Sequence, residues 1–181
     1  MPSFDIIGNR EKAIAIIEPT NNKKAVAHEI MQMHKNVKSV LMKASARRGV
    51  YRLRKLQFVA GLRNTEVIHT ESGCRFLLDP KKVYFSSREG TERLRIAGKI
   101  NEGDLVAVFF AGVGPFAVVL SRKSEAREIV GIEKNPVAVR YFKKNIQMNK
   151  LKNVIAIKAD VKNAAEKFPK SFDRIIMPLP E

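Results

Sequence analysis

Apolar and polar positions divide the chain into two halves with different rhythms. In the first, Phe4 to Ile7 and Ala13 to Ile17 are short apolar, β-branched runs separated by Gly8-Asn9, which predicts a hairpin. Thr20-Asn21-Asn22 offers helix-capping residues, and Ala25 to His34 follows with Val26, Ile30 and Met33 on one helical face. Strand-like stretches come next at Val37 to Met42, Val50 to Ala60, Thr65 to Thr70 and Cys74 to Leu78. Gly49, Gly61-Leu62-Arg63-Asn64 and Glu71-Ser72-Gly73 separate the later ones. The expected product is a small antiparallel sheet with one helix against it.

The second half alternates. Thr91 is placed to cap a helix running to about Ile100, with Leu94, Ala97 and Ile100 inward. Strands are predicted at Asp104 to Phe110, Glu128 to Glu133, Val154 to Ala159 and Phe172 to Met177. Helices are predicted between them at Pro115 to Arg122, Pro136 to Asn149 and Lys162 to Phe168, two of them opening with Pro, which is tolerated in a first turn. Strand–helix alternation at this spacing predicts an α/β, doubly wound (Rossmann-like) parallel sheet over residues 80–181, preceded by a small α+β domain over residues 1–79. Four strands are fewer than such sheets normally have, so the sheet is expected to be C-terminally incomplete and the chain a fragment of a longer protein.

Charge adds a partner class. The 181 residues carry 34 Lys plus Arg against 18 Asp plus Glu, a net +16. The excess is +9 over residues 1–91 and +7 over residues 92–181, so a basic face spanning both halves is expected rather than a charged tail. Such a face calls for a polyanion, most simply nucleic acid. The longest apolar run, Leu105 to Ala111, is far short of the roughly 20 residues a membrane span needs. The N-terminal residues do not read as a signal peptide. Cys74 is the sole cysteine, which excludes an internal disulfide or a cysteine-based zinc site and predicts a reducing cytoplasm.

Candidate chemistry begins after the first parallel strand. Ala111-Gly112-Val113-Gly114-Pro115-Phe116-Ala117 fits G-x-G-x-x-G/A between a strand and a helix. Gly112 and Gly114 allow a tight turn and a close backbone approach to a ligand, and the helix start favours a negative group. Glu133 ends the second strand 19 residues after Gly114, where an acid accepts hydrogen bonds from ribose hydroxyls. Asp160 ends the third strand on the same edge, placed to reach an adenine amino group. A dinucleotide and S-adenosylmethionine both fit this pattern. Pro115 removes one N–H from the helix start, which argues mildly against a pyrophosphate, and Asp160 with Pro178-Leu179-Pro180 suits adenosylmethionine better.

Five segments then occur in a telling order: Val83-Tyr84-Phe85-Ser86, Thr91-Glu92-Arg93, Phe110 to Phe116, Glu133-Lys134-Asn135-Pro136 and Met177-Pro178-Leu179-Pro180. With Lys43-Ala44-Ser45, Tyr51-Arg52-Leu53-Arg54 and Phe4 to Gly8 upstream, the sequence resembles the archaeal and eukaryotic tRNA (guanine-37-N1)-methyltransferases. The resemblance implies transfer of a methyl group from S-adenosylmethionine to N1 of guanosine 37, with the anticodon stem-loop as partner. No membrane and no metal are expected, and a monomer is favoured. The resemblance also implies Glu92 as general base for the N1 proton and Arg52 as the cation that offsets charge on O6. It implies Tyr84, Arg93, Phe110, Ala111, Gly112, Gly114, Glu133, Lys134, Asn135, Asp160, Val161, Pro178 and Pro180 around the cofactor. Guanine N1 is protonated and a poor nucleophile, so a carboxylate and a cation are the groups this chemistry needs.

Two positions depart from the family pattern. Val108 stands where the family often has Asp, and Pro178 where its fourth-strand loop often has Asn. The resemblance also predicts an N-terminal module and further strands after Pro180 that this chain lacks. Three rivals follow. One is a wyosine-pathway enzyme moving the aminocarboxypropyl group of the same cofactor. Another is a non-catalytic tRNA-binding protein, and the last, on the glycine loop alone, a nicotinamide-dependent oxidoreductase.

Overall fold

A computed structural model describes residues 3–163 and 172–178. The first hairpin forms as expected: β1 (Phe4–Gly8) and β2 (Ala13–Ile17) pair antiparallel. Helix α1 (Lys23–Met33) then carries the chain across to β3 (Val37–Lys43), which pairs parallel to β2, and β4 (Leu56–Gly61) pairs antiparallel to β3. The sheet, ordered β1-β2-β3-β4, is therefore mixed and not wholly antiparallel. A helical crossover returns the chain in the same direction, which a short turn cannot do. Every residue of β2 is buried. Ala13, Ala15 and Ile17 pack on Val26, Ala27 and Ile30 of α1, while Ile14 and Ile16 face the main core, so a continuous apolar run replaces alternation.

The stretch from Val50 to Ala60 is not one strand. Arg48 and Leu53 form an isolated antiparallel bridge around the turn 49–52, and β4 begins only at Leu56. Gly49 and Arg52 both take positive φ, +73° and +50°, which closes the turn. Strands β5 (Val67–Glu71) and β6 (Cys74–Leu78) form a separate hairpin.

In the second half β7 (Leu105–Phe109), β8 (Glu128–Glu133), β9 (Val154–Lys158) and β10 (Arg174–Ile176) form an all-parallel sheet ordered β10-β7-β8-β9. Strand order reverses between β7 and β10, the kind of place where α/β sheets bind ligands. Helices α3 (Pro115–Lys123) and α4 (Pro136–Met148) connect β7 to β8 and β8 to β9. The expected helix from Lys162 to Phe168 falls largely outside the described residues; 161–163 are helical.

Helix α2 (Gly90–Ala97) is rotated from its expected face. Leu94 is 43% exposed, whereas Arg93 is fully buried beside Ala97. A charged residue turns inward because it finds acidic partners there, as described below.

The two halves share one core. Ile7, Leu41, Phe76, Val106, Phe116 and Phe142 belong to a single buried cluster. The β5–β6 hairpin lies before residue 79 but binds α4. Asn145 and Asn149 act as a substitute strand for β6, accepting the Leu77 N–H (2.7 Å) and the Arg75 N–H (2.9 Å) and donating to the same residues' carbonyls. Tyr141 donates to Glu66 (2.7 Å) at the other end of the same contact. The packing thus crosses the expected division between residues 79 and 80.

Candidate active site

The glycine loop leaves β7 through three left-handed residues: Phe110 (φ +54°), Gly112 (+57°) and Gly114 (+86°). A side chain on Gly114 would enter the Phe142 ring, so this glycine lets the loop seat on α4. A Cβ on Gly112 would meet nothing nearer than the Tyr84 carbonyl oxygen at 3.9 Å, so this glycine keeps a space open.

Glu133 sits at the carboxyl end of β8, oriented by two backbone donors. The Gly112 N–H gives to its Oε2 (2.8 Å) and the Asn135 N–H to its Oε1 (2.6 Å). Each oxygen keeps a lone pair for a further donor. Asp160, past the end of β9, pairs with Lys134 (2.8 Å) and accepts the Lys162 N–H (3.1 Å). The Lys134 hydrogen bond, then the Lys162 N–H, holds the Asp160 carboxyl below its ordinary range.

A cavity of about 420 Å³ lies over these strand ends. Among the expected residues it is lined by Arg52, Tyr84, Arg93, Phe110, Ala111, Gly112, Glu133, Lys134, Asp160, Val161 and Pro178. Two others stand one step behind it. Gly114 precedes α3, and the Asn135 side chain accepts the Val137 N–H (2.9 Å) to cap α4. Pro180 lies outside the described residues.

Glu92 does not line this cavity. It lines a larger neighbour of about 780 Å³, together with Lys43, Arg47 and Arg54. The two cavities share Tyr84, Phe85, Ser86, Glu89, Phe116 and Pro178. Arg95 grips Glu92 through both carboxylate oxygens at 2.6 Å, and this hydrogen bonding keeps the Glu92 carboxyl below its usual range. Glu92 and Arg52 therefore border adjoining spaces and not one pocket.

The other side of the cavities rests on a buried polar chain. Arg93 Nη1 donates to Glu71 Oε1 (2.6 Å) and Nη2 to the Ser86 carbonyl (2.7 Å), with its guanidinium 5.2 Å from the Phe85 ring centre and 5.5 Å from that of Phe116. The Gly8 N–H donates to His69 Nδ1 (3.1 Å), so the ring proton sits on Nε2, facing Glu71 Oε2 at 3.3 Å. Tyr84 donates its hydroxyl to Glu89 (2.7 Å); burial first, then this bond, raises its pKa. Sequence reading missed Glu89, Val50 and Tyr51 as cavity residues. A lone acid in a single 3-10 turn and two residues at a hairpin tip carry no periodic or spacing signal.

Residues 67–181 match the family described as the TRM5/TYW2 methyltransferase domain. The chain belongs to this family. The match begins at the first residue of β5, the hairpin that α4 holds. The tRNA (guanine(37)-N(1))-methyltransferase Trm5b of Pyrococcus abyssi is 46% identical over 183 residues, covering 99% of this chain and 52% of that protein. The solved complex of aTrm5 and tRNALeu superposes with a TM-score of 0.84 at 35% identity, covering 99% of this chain and 52% of that one. The M. jannaschii TYW2 structure in complex with AdoMet gives 0.70 at 31% identity, covering 99% and 65%. This chain thus spans about half the length of the Trm5 relatives. Among the described residues no helix is long and apolar enough to cross a membrane, and no cluster of His, Cys, Asp and Glu could hold a metal ion.

Proposed function

We propose that the protein transfers the methyl group of S-adenosylmethionine to N1 of guanosine 37 in tRNA. The observation that carries this reading is the pair of joined cavities: one built on the parallel-strand ends with Glu133 and Asp160, the other bordered by Glu92 and basic residues. Family membership and the printed activities of the relatives support it.

The residues fit such a ligand. Gly112 leaves room for it, Glu133 has an open lone pair on each oxygen for ribose hydroxyls, and Arg93 Nε is buried with no partner among the described residues. Bound there, S-adenosylmethionine supplies an electrophilic methyl group. Tyr84 and Phe110 wall the cavity beside the glycine loop, and Asp160 with Val161 borders its adenine end. Arg52 offsets negative charge growing on guanine O6, and Glu92 takes the N1 proton. Glu92 is a weak base while Arg95 grips it, so proton transfer requires that pair to loosen. The +16 charge holds the anticodon stem-loop through its phosphates, a salt-dependent attraction. In this reading the protein acts as a cytoplasmic monomer.

Calorimetric titration with S-adenosylmethionine, with NAD as control, tests the cavity: saturable binding of the first alone is expected. Incubation with tRNA unmodified at guanosine 37, followed by nucleoside mass analysis, tests the reaction. One added methyl group is expected. An aminocarboxypropyl adduct would replace methyl transfer with the TYW2-type reaction, and NAD binding without adenosylmethionine binding would sink the whole reading.

A further inference from the structure

Among the described residues three carboxylates line the smaller cavity: Glu89, Glu133 and Asp160. Glu133 is turned to the strand ends by two backbone N–H groups, and Asp160 is neutralised by Lys134. Glu89 differs from both. Tyr84 holds its Oε1, but Oε2 is only loosely approached by Arg93 Nη2, at 3.5 Å, and the side chain is 33% exposed. Among the described residues it is also the only acid that borders both cavities.

If Glu133 holds the ribose and Asp160 the adenine end, the amino-acid end of the same ligand points away from Asp160, towards the wall shared with the larger cavity. That end bears an ammonium, which needs an acceptor when it leaves water. The end of β7 offers no acidic side chain, because Val108 is fully buried and Phe109 and Phe110 follow it.

We infer that Glu89 accepts the ammonium of the methionine part of S-adenosylmethionine through Oε2, with Tyr84 fixing the carboxylate through Oε1. The inference rests on the proposed function and adds a binding residue to it. Glu89 also places negative charge beside the shared wall, where it favours a ligand of net positive charge.

The test is calorimetric titration of the wild-type chain and of Glu89→Gln and Glu89→Asp with two ligands, S-adenosylmethionine and 5′-methylthioadenosine. The second lacks the ammonium and the carboxylate. Glu89→Gln keeps an acceptor for Tyr84, so the cavity should remain intact and methylthioadenosine affinity unchanged. S-adenosylmethionine affinity should fall about tenfold or more, as expected when a charge-assisted hydrogen bond is lost. Glu89→Asp should lose less, again only for the larger ligand. If the Gln chain binds neither ligand, the Asp chain decides by the same criterion. Unchanged S-adenosylmethionine affinity in Glu89→Gln overturns the inference. So does equal weakening of both ligands, and so does lost methyl transfer at unchanged affinity, which would put Glu89 at the guanine proton instead. A wild-type chain that binds neither ligand overturns the proposed function, and this inference with it.

Discussion

The strand-end side of the smaller cavity and the side made by residues 47–54 and 84–93 hold their polar groups by different means. On the first, each acid is oriented by backbone N–H groups a few residues away or one strand over: Gly112 and Asn135 for Glu133, Lys162 for Asp160. On the second, Arg93 depends on Glu71, 22 positions earlier, and Glu71 in turn faces His69, which is fixed by Gly8 of β1. The first side is a local motif that a parallel sheet assembles by itself. The second exists only when the N-terminal sheet, the β5–β6 hairpin and α2 are docked. Chemistry that needs a preorganised cation or base on that side is therefore tied to the stability of the whole chain.

The largest effect should come from breaking the docked side. Arg93→Met leaves the largely buried Glu71 carboxylate without its cation and should cost about 3–5 kcal/mol in urea denaturation. Adding Glu71→Gln should recover part of that loss, because the pair and not the guanidinium alone is at stake. A cost no larger than that of a surface change would show that the chain of contacts does not hold this side.

The strand-end side should break next. Gly114→Ala drives a Cβ into the Phe142 ring at positive φ and should cost about 2–3 kcal/mol. Gly112→Ala has only the positive φ against it, about 1 kcal/mol, but should weaken S-adenosylmethionine binding more than Gly114→Ala does relative to its stability cost. Equal losses of stability at the two glycines would erase the distinction between packing and ligand approach. Asn135→Ala removes the α4 cap and should cost about 1 kcal/mol, with a smaller effect on ligand affinity than Gly112→Ala.

The smallest effect concerns proton transfer. Arg95 keeps the Glu92 carboxyl below its ordinary range. A base works only above its pKa, so this pairing extends the ionised form to lower pH. Arg95→Ala should let the pKa rise, and the acidic limb of the single-turnover methylation rate should move to higher pH. An unmoved limb would remove Glu92 from the proton-transfer step.

The same contrast explains what could be read before the structure. Strand β8 was legible to the residue, and the glycine loop, Glu133 and Asp160 were legible as a constellation, because period, turn chemistry and motif spacing are local. The inward face of α2 is not legible in this way, since apolar periodicity points to Leu94 while the acids of β5 and the turn at 87–89 draw Arg93 inside. The sense of β3 is not legible for a related reason: antiparallel pairing is the simplest product of short strands, and only the packing of α1 makes the crossover parallel.

By itself, the amino-acid sequence determined the α/β class of the second half, the grouping of the glycine loop, Glu133 and Asp160 at the strand ends, and the basic character that suits a polyanion, through patterns that act within a few dozen residues. Only the tertiary structure decided that the β5–β6 hairpin belongs with α4, that Glu92 and Arg52 border different cavities, and that Glu89 stands between them. Those outcomes depend on which distant polar groups can satisfy one another once water is excluded, and no local pattern records that pairing.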